Sequence, residues 1–366
     1  MLNILTYNEI DKHQWQALVD QSSTATWFQT PEAYKFYMSV PEEMMPFVIG
    51  VAASPKSSLE GKDLQLEGVV VGYITQTPNP IKQFFTRRAI IIGGPLLAED
   101  ISDEALVELL KAVKECKVES VKCKGTENGK ADALSSRLIA LSPHRLTPIY
   151  IENRNLHDYS RWKSVFEANG FAYHPHLNIQ VACNVQHQMS EQRIRQVRKA
   201  LKNGIEICQA KSEEDVKAWY QILQQLYRTK VRTPLWSEEF FLQFYRNGVG
   251  KYLLVKHEGK VIGGMMCPIL EGKTIYEWYV CGLDESFREF YPSVVATYAA
   301  IEYAKEHHIE IFDFMGAGKP DVPYGVRDFK MEFGGGLVEY GRYVFVQKPL
   351  LYKIGQWGVK WLKHKR

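Results

Sequence analysis

KYLLVKHEGKVIGGMMCPILEGKTIYEWYVCG, residues 251–282, reads as three strands: Lys251 to His257, Val261 to Leu270 and Thr274 to Gly282. Glu258-Gly259-Lys260 and Glu271-Gly272-Lys273 join them, and turns this short between apolar runs make an antiparallel meander. Pro292 suits a first helical turn and opens a helix to roughly His307. Ile309 to Phe314 is the next strand. The same order recurs toward the N-terminus. Pro46 to Ala53, Leu64 to Thr77 and Ala89 to Leu97 read as strands, with Gly61-Lys62-Asp63 as a turn. A helix starts after Ser102, with Leu106, Leu109, Leu110 and Val113 on one face. Pro148 to Asn153 is again a strand, Tyr159 to Asn169 a helix ended by Gly170, and Phe171 to Cys183 a further strand. Lys117 to Ala140 fits either a strand and helix or an excursion from the domain. The repeated order predicts a mixed α/β (α+β) chain of two tandem domains, each a mostly antiparallel twisted sheet flanked by helices, without detectable sequence repeat. The expected divisions are 1–184, 185–347 and a basic terminal helix over 348–366, the join lying in the polar stretch Asn184 to Gln192.

Composition agrees. A chain of 366 residues with 45% hydrophobic and 24% charged residues is long enough for two full cores. Its net charge is +3, but Lys348, Lys353, Lys360, Lys363, Lys365 and Arg366 lie in an acid-free tail; setting those six aside leaves −3. The body is therefore not a broadly basic nucleic-acid surface, and any such contact must rest on local patches. Six cysteines without C-x-x-C spacing read as reduced, packed thiols. Met1 to Ile10 lacks the charged and apolar regions of a secretory leader, and no run reaches the roughly 18 apolar residues of a membrane span. The expected location is cytoplasmic.

The chemistry concentrates in IFDFMGAGKPDVPYGVRDFKMEFGGGLVEY, residues 311–340. A buried strand leads into a loop punctuated by glycine and proline, then into one or two turns carrying Phe329 and Lys330 before three glycines. Lys330 sits among Phe329, Met331 and Phe333, and a buried ammonium is costly unless something anionic or dipolar meets it. Either it has such a task, or it runs its stem along Phe333 and places its head in water. The pattern FDF-x-G followed by G-x-x-x-FK-x-x-FGG, with the earlier QVRKALKNGIEI, resembles the FemABX peptidyltransferases. The resemblance extends over most of the chain and is strongest from Arg193 to Tyr340.

That family implies two tandem GNAT-like acyltransferase domains in a cytoplasmic enzyme that moves an amino acid from aminoacyl-tRNA onto a UDP-linked or lipid-linked muropeptide. It implies no metal and no bound cofactor. Lys330, next to Phe329, would meet the oxyanion of the tetrahedral intermediate, and the glycine-rich turn would let substrate approach. Asp313 would orient a cation or accept a proton, or else hold the following loop. Arg232, in LYRTKVRTPLW, stands where family members place an arginine facing the acceptor. Lys35, in WFQTPEAYKFY, resembles the early Q-[ST]-x-x-W-x-x-K pattern loosely, with Ala33 in the tryptophan position. Tyr279 would line the cleft; Tyr276 fits strand packing better. The long charged coiled coil of the helical-arm members has no counterpart here.

Arg195, Arg198, Lys199 and Lys202 share one face of a helix capped by Gly204, with Ile194, Val197 and Leu201 on another. Four cations on one face would grip acceptor or tRNA phosphates, or form a solvated face. A coenzyme A pyrophosphate loop needs glycines that expose backbone N–H groups at a helix N-terminus. CGLDESFREFYPS, residues 281–293, has none between Gly282 and Pro292, and IIIGGPLLAEDIS, residues 90–102, puts Glu99 and Asp100 where phosphates would sit. An acyl donor other than acetyl-CoA is expected. His174 and His176 lack a nearby third ligand for a metal. The terminal LLYKIGQWGVKWLKHKR could dock on the body or lie peripherally on an anionic membrane. Two other function classes fit the residues: an N-acyltransferase using another activated donor, and a non-catalytic module that binds cell-wall precursors.

Overall fold

Two eight-stranded sheets carry the chain in the computed structural model, which describes residues 2–54, 64–77, 79–115, 147–185 and 189–364. The turn expected at Gly61-Lys62-Asp63, the segment from Lys117 to Ala140, and Cys116 and Cys123 lie outside the described residues. In chain order the strands of the first half are β1 (Leu2–Thr6), β2 (Met44–Ala53), β3 (Gln65–Thr75), β4 (Ala89–Gly93), β5 (Leu96–Leu97), β6 (Tyr150–Asn155), β7 (Ala172–His174) and β8 (Leu177–Ala182). The second half adds β9 (Ile205–Gln209), β10 (Gly250–His257), β11 (Lys260–Leu270), β12 (Thr274–Tyr276), β13 (Tyr279–Gly282), β14 (Ile311–Asp313), β15 (Gly336–Glu339) and β16 (Arg342–Val346).

The first sheet runs β1-β2-β3-β4-β6-β16-β7 and the second β15-β8-β14-β12-β11-β10-β9, with β5 on β3 and β13 on β11. In each, one parallel pair interrupts antiparallel neighbours: β4 with β6, and β12 with β14. That is the expected repeated order. The helix over Asp103–Glu115 fills the role predicted for it, with Ser102 Oγ accepting from Ala105 N at 3.1 Å and Leu106, Leu109, Leu110 and Val113 buried. Pro292 opens Pro292–Glu306.

The expected single strand over Phe171 to Cys183 is two strands in different sheets. β7 pairs with β16, and β8 pairs with β14 and β15. Pro175 between them has no N–H to continue a ladder, so the chain leaves one sheet there and enters the other. The division at 184 is thus crossed twice, since β8 from before it joins the second sheet and β16 from after it joins the first. A buried charge group pins the exchange. Glu152 on β6 receives Arg342 Nη1 at 2.6 Å and Arg154 Nη2 at 3.1 Å, and Arg342 Nη2 donates to His176 Nε2 at 3.0 Å. Burial pushes Glu152 up, but the two guanidinium groups outweigh it and bring its carboxyl down to about 2. Burial and Arg342 push His176 down to about 4, which keeps it neutral and able to accept. His176 is therefore packed on Arg342 while His174 is exposed, and no metal-ligating cluster occurs among the described residues.

Both halves share one aromatic core. Phe28 meets Trp278 edge-on at 5.1 Å, Phe36 meets Phe240 at 5.2 Å and Trp27 meets Phe244 at 6.0 Å. Such pairs contribute about 0.5–1.5 kcal/mol each beyond their buried area. Phe36 lies on the helix Pro31–Met38, and Phe240 and Phe244 lie on Glu238–Arg246, on opposite sides of the join. Cys183, Cys208, Cys267 and Cys281 are free thiols, as expected.

Candidate active site

The site forms where a parallel strand pair comes apart. β12 and β14 run side by side for three residues, Thr274↔Ile311 to Tyr276↔Asp313. Beyond that, Glu277 N still donates to Asp313 O at 2.9 Å. β13 then stays with β11, while the chain after β14 turns away through Met315 (φ +56°) and Gly316 (φ +147°). The β-branched and aromatic residues of β12 and β14 favour extended pairing. Asp313 ends it: its Oδ1 accepts from Met315 N at 2.6 Å, curling the backbone into a turn. Of the two roles expected for Asp313, holding the following loop is visible in that bond.

Lys330 reaches this point from the short helix Gly325–Met331. Its Nζ lies 2.9 Å from Glu277 Oε1, 2.9 Å from the Phe314 carbonyl and 3.0 Å from the Gly316 carbonyl. Those three partners match the three donors of an ammonium. Lys330 is buried, so it does not carry its head to water along Phe333. Glu277 is buried too; burial pushes its carboxyl up against the lowering effect of Lys330. Asp313 has no accessible surface and also titrates above its usual range through burial, opposed by the Gln180 and Asn178 amides. Asn178 Nδ2 donates to both its oxygens at 2.9 Å and Gln180 Nε2 to Oδ2 at 2.8 Å.

A polar chain continues into the other domain. Tyr340 Oη donates to Gln180 Oε1 at 3.1 Å, and Asn155 Nδ2 donates to the Tyr340 carbonyl at 2.9 Å. Asn155 ends β6, the strand whose parallel partner β4 stops at Gly93, so the chain links the two places where parallel pairs part.

The remaining sequence candidates lie apart from Lys330. Phe329 turns the other way, its ring 4.5 Å from the Arg193 guanidinium and 5.3 Å from Phe333. Arg193, in Glu191–Lys202, pairs with Glu332 at 3.2 Å, so that helix is buried through Arg193, Val197 and Ala200 rather than through Leu201, which is exposed. Arg195, Arg198, Lys199 and Lys202 face solvent, Arg195 beside Glu191 and Lys199 over the Tyr291 ring. Lys35 is exposed beside Glu32. Arg232 is exposed in the left-handed region (φ +56°, ψ +31°), its Nε donating to the Thr229 carbonyl and its N to the Tyr227 carbonyl. Tyr227, whose carbonyl accepts from Arg232 N, lies 6.3 Å from Tyr279, which stands edge-on to Phe241 at 5.1 Å. Tyr276 is buried, as strand packing requires.

Of the three glycines, Gly334 takes φ +85° and Gly335 is closely packed. A Cβ on Gly335 would meet Ile179 Cγ2 at 2.5 Å and the Gln180 carbonyl at 3.0 Å, so glycine there lets this turn press onto β8. Sequence reading missed Glu277, although a carboxylate inside the apolar run IYEWYV is as anomalous as the lysine that prompted attention to Lys330. Asn178, Gln180 and Tyr340 carried no such signal.

The chain resembles FemX in structure, with a TM-score of 0.64 at 14% identity, covering 96% of this chain and 99% of that one. L-PGS from Bacillus licheniformis matches with a TM-score of 0.52 at 11% identity, covering 94% and 96%. At these identities the likeness shows the fold. No curated protein matches in sequence. Residues 261–358, which contain Glu277, Asp313 and Lys330, match the FemAB family model, and over its full length the chain shares with FemX a fold of two tandem GNAT-like units.

Proposed function

We propose that this chain transfers an aminoacyl group from aminoacyl-tRNA to the amine of a UDP-linked or lipid-linked peptidoglycan precursor. The observation that carries the reading is the buried Lys330–Glu277 pair at the parting of β12 and β14, inside the segment that matches the family. The acceptor amine attacks the ester carbonyl, negative charge gathers on the carbonyl oxygen, and the C–O bond breaks as the ribose oxygen leaves with the proton that the attacking nitrogen gives up. Lys330 brings its ammonium from a neighbouring helix to the point where these strands part. All three of its donors are engaged at rest, so it meets the oxyanion by exchanging one carbonyl contact for it. A donor placed for developing charge of this kind lowers the barrier by roughly 3–4 kcal/mol. Glu277 supplies the ammonium with a counter-ion in a buried setting. Single-turnover transfer from a panel of aminoacyl-tRNAs to muropeptide acceptors tests the reading. Acceptor binding without transfer across the panel would favour a non-catalytic binding module.

The donor side has its own support. The N-terminus of Pro292–Glu306, where a pyrophosphate would lie, is taken by the protein's own carboxylate: Asp284 Oδ1 accepts from Ser293 N at 3.0 Å. In the first half Asp103 and Glu104 occupy the first turn of the corresponding helix. Both ends repel phosphate. Acetyl-CoA is therefore expected to show no saturable binding at sub-millimolar concentration by calorimetric titration. A one-to-one complex would restore an acetyltransferase reading.

On the acceptor side, Arg232 with the Arg195, Arg198, Lys199 and Lys202 face and Lys35 supplies cations for phosphate. Arg232→Gly removes the guanidinium and places a residue that adopts φ +56° without strain. The melting temperature is expected to change by no more than about 3 °C, less than about 1 kcal/mol, while affinity for a UDP-linked muropeptide falls about tenfold. Unchanged affinity would place Arg232 outside the acceptor site.

A further inference from the structure

Two acid-free segments far apart in sequence meet at Ile149. Ile149 N donates to the Arg87 carbonyl at 3.0 Å, and its own carbonyl accepts from Gln347 N and Lys348 N, both at 3.0 Å. The helix Pro80–Thr86 therefore ends beside the start of the terminal helix Pro349–His364. The terminal helix docks through Tyr352, edge-on to Tyr150 at 5.2 Å, whose hydroxyl in turn receives Arg88 Nη1 at 3.4 Å. Its other face is bare: Leu350, Ile354 and Trp357, spaced four and three residues apart, are 73%, 45% and 70% exposed. Phe84 and Phe85 on the neighbouring helix are each nearly half exposed and lie edge-to-face with one another.

Cations accompany these apolar groups, and neither of the two segments that carry them holds a carboxylate. Neither residues 79–98 nor 341–366 contain Asp or Glu. Arg87 lies over the Phe84 ring at 5.5 Å; it is more than nine-tenths buried, and its Nε has no hydrogen-bond partner. Lys348 is close enough to Arg87 for the two charges to oppose each other. Arg87, Arg88 and Lys348 have no carboxylate partner among the described residues. Like charges crowded without a counter-ion, next to exposed Trp and Phe, complement a surface that is anionic at headgroup level and apolar just beneath.

We infer that this face, made by Phe84, Phe85, Leu350, Ile354 and Trp357 with Arg87, Arg88 and Lys348 around them, docks the protein on an anionic lipid bilayer. The apolar side chains enter the headgroup boundary and the cations meet lipid phosphates. The inference does not depend on the transfer reading, because docking is measured without turnover.

The test is co-sedimentation of the full chain with vesicles of phosphatidylcholine alone and of phosphatidylcholine mixed in equal parts with phosphatidylglycerol. Binding to the mixed vesicles is expected to be at least about tenfold tighter and to weaken as salt screens the charges. Leu350→Ser/Ile354→Ser/Trp357→Ser, and separately Phe84→Ser/Phe85→Ser, should each weaken it about tenfold or more, with melting temperatures near the parent value because these groups are exposed. Lys348→Gln/Arg88→Gln should remove much of the preference for phosphatidylglycerol, roughly fivefold per cation. Equal binding to both vesicle types, or no binding to either, would overturn the inference. So would a parent that self-associates in solution through this face and becomes monomeric in the triple variant, which would make the occupant a second copy.

Discussion

Lys330→Met is expected to reduce aminoacyl transfer at least about a hundredfold and to lower stability by about 3–5 kcal/mol. The second effect follows from the ion pair. Methionine fills much of the stem's volume, but Glu277 is left buried with no cation, and the Phe314 and Gly316 carbonyls lose their donor. Removing one member of a buried pair costs more than removing both, because the orphaned charge stays desolvated. Lys330→Met/Glu277→Gln is therefore expected to regain most of the lost stability while transfer stays absent. The deficit of the single variant should also depend on pH. Burial already raises the Glu277 carboxyl above its ordinary value, and without Lys330 it rises further. A carboxyl whose folded pKa lies above its unfolded value favours folding at low pH, and that contribution is lost as pH rises through the folded pKa. The variant should thus approach the parent in acid and fall behind near neutrality. Urea unfolding of the parent, single and double variants across pH, with single-turnover transfer beside it, separates the two effects. A double variant that is stable and still transfers would make Lys330 a structural residue.

Asp313→Leu is expected to cost on the order of 4 kcal/mol, with Asp313→Asn nearer 1–2 kcal/mol. The carboxylate collects the Asn178 and Gln180 amides and the Met315 N–H in a place without solvent access. Leucine offers none of them an acceptor, whereas asparagine keeps one oxygen and turns an amide NH2 toward neighbouring donors. The loop carrying Phe314 and Gly316 would lose its anchor, and those are two of the three contacts that position Lys330. Transfer should therefore fall in Asp313→Asn through the catalytic step more than through acceptor affinity. Chemical denaturation measures the first effect and single-turnover rates the second. Parent-like stability in Asp313→Leu would mean that the amides find other partners and that the chain from Asn155 to Asp313 is dispensable.

Much of the architecture was legible because it is written in local signals. Short polar turns between apolar runs marked the meander of β10, β11 and the β12–β13 strand, and Pro292 and Ser102 marked helix starts, since these features depend on a few adjacent residues. Lys330 stood out for the same reason, as a charge in apolar company. The break at Glu277-Trp278 was not legible, because whether a strand keeps both neighbours depends on where β14 turns away. Leu201 illustrates the same limit: helical spacing grouped it with Val197, but the burial of Arg193 against Glu332 rotated the packed face away from it.

By itself, then, the sequence determined the meander with the helix and strand that follow it, the two-domain plan and the lysine worth testing. Tertiary structure alone decided that β8 and β16 change places between sheets, that Lys330 is met by Glu277, and that a polar chain ties Asn155 to Asp313. The physical reason is reach. Propensity, capping and periodicity act over one or two turns of chain, whereas a buried charge is satisfied by whichever residue folding brings within about 3 Å of it. Here that residue is 53 positions away for Lys330 and Glu277, and 190 for Arg342 and Glu152.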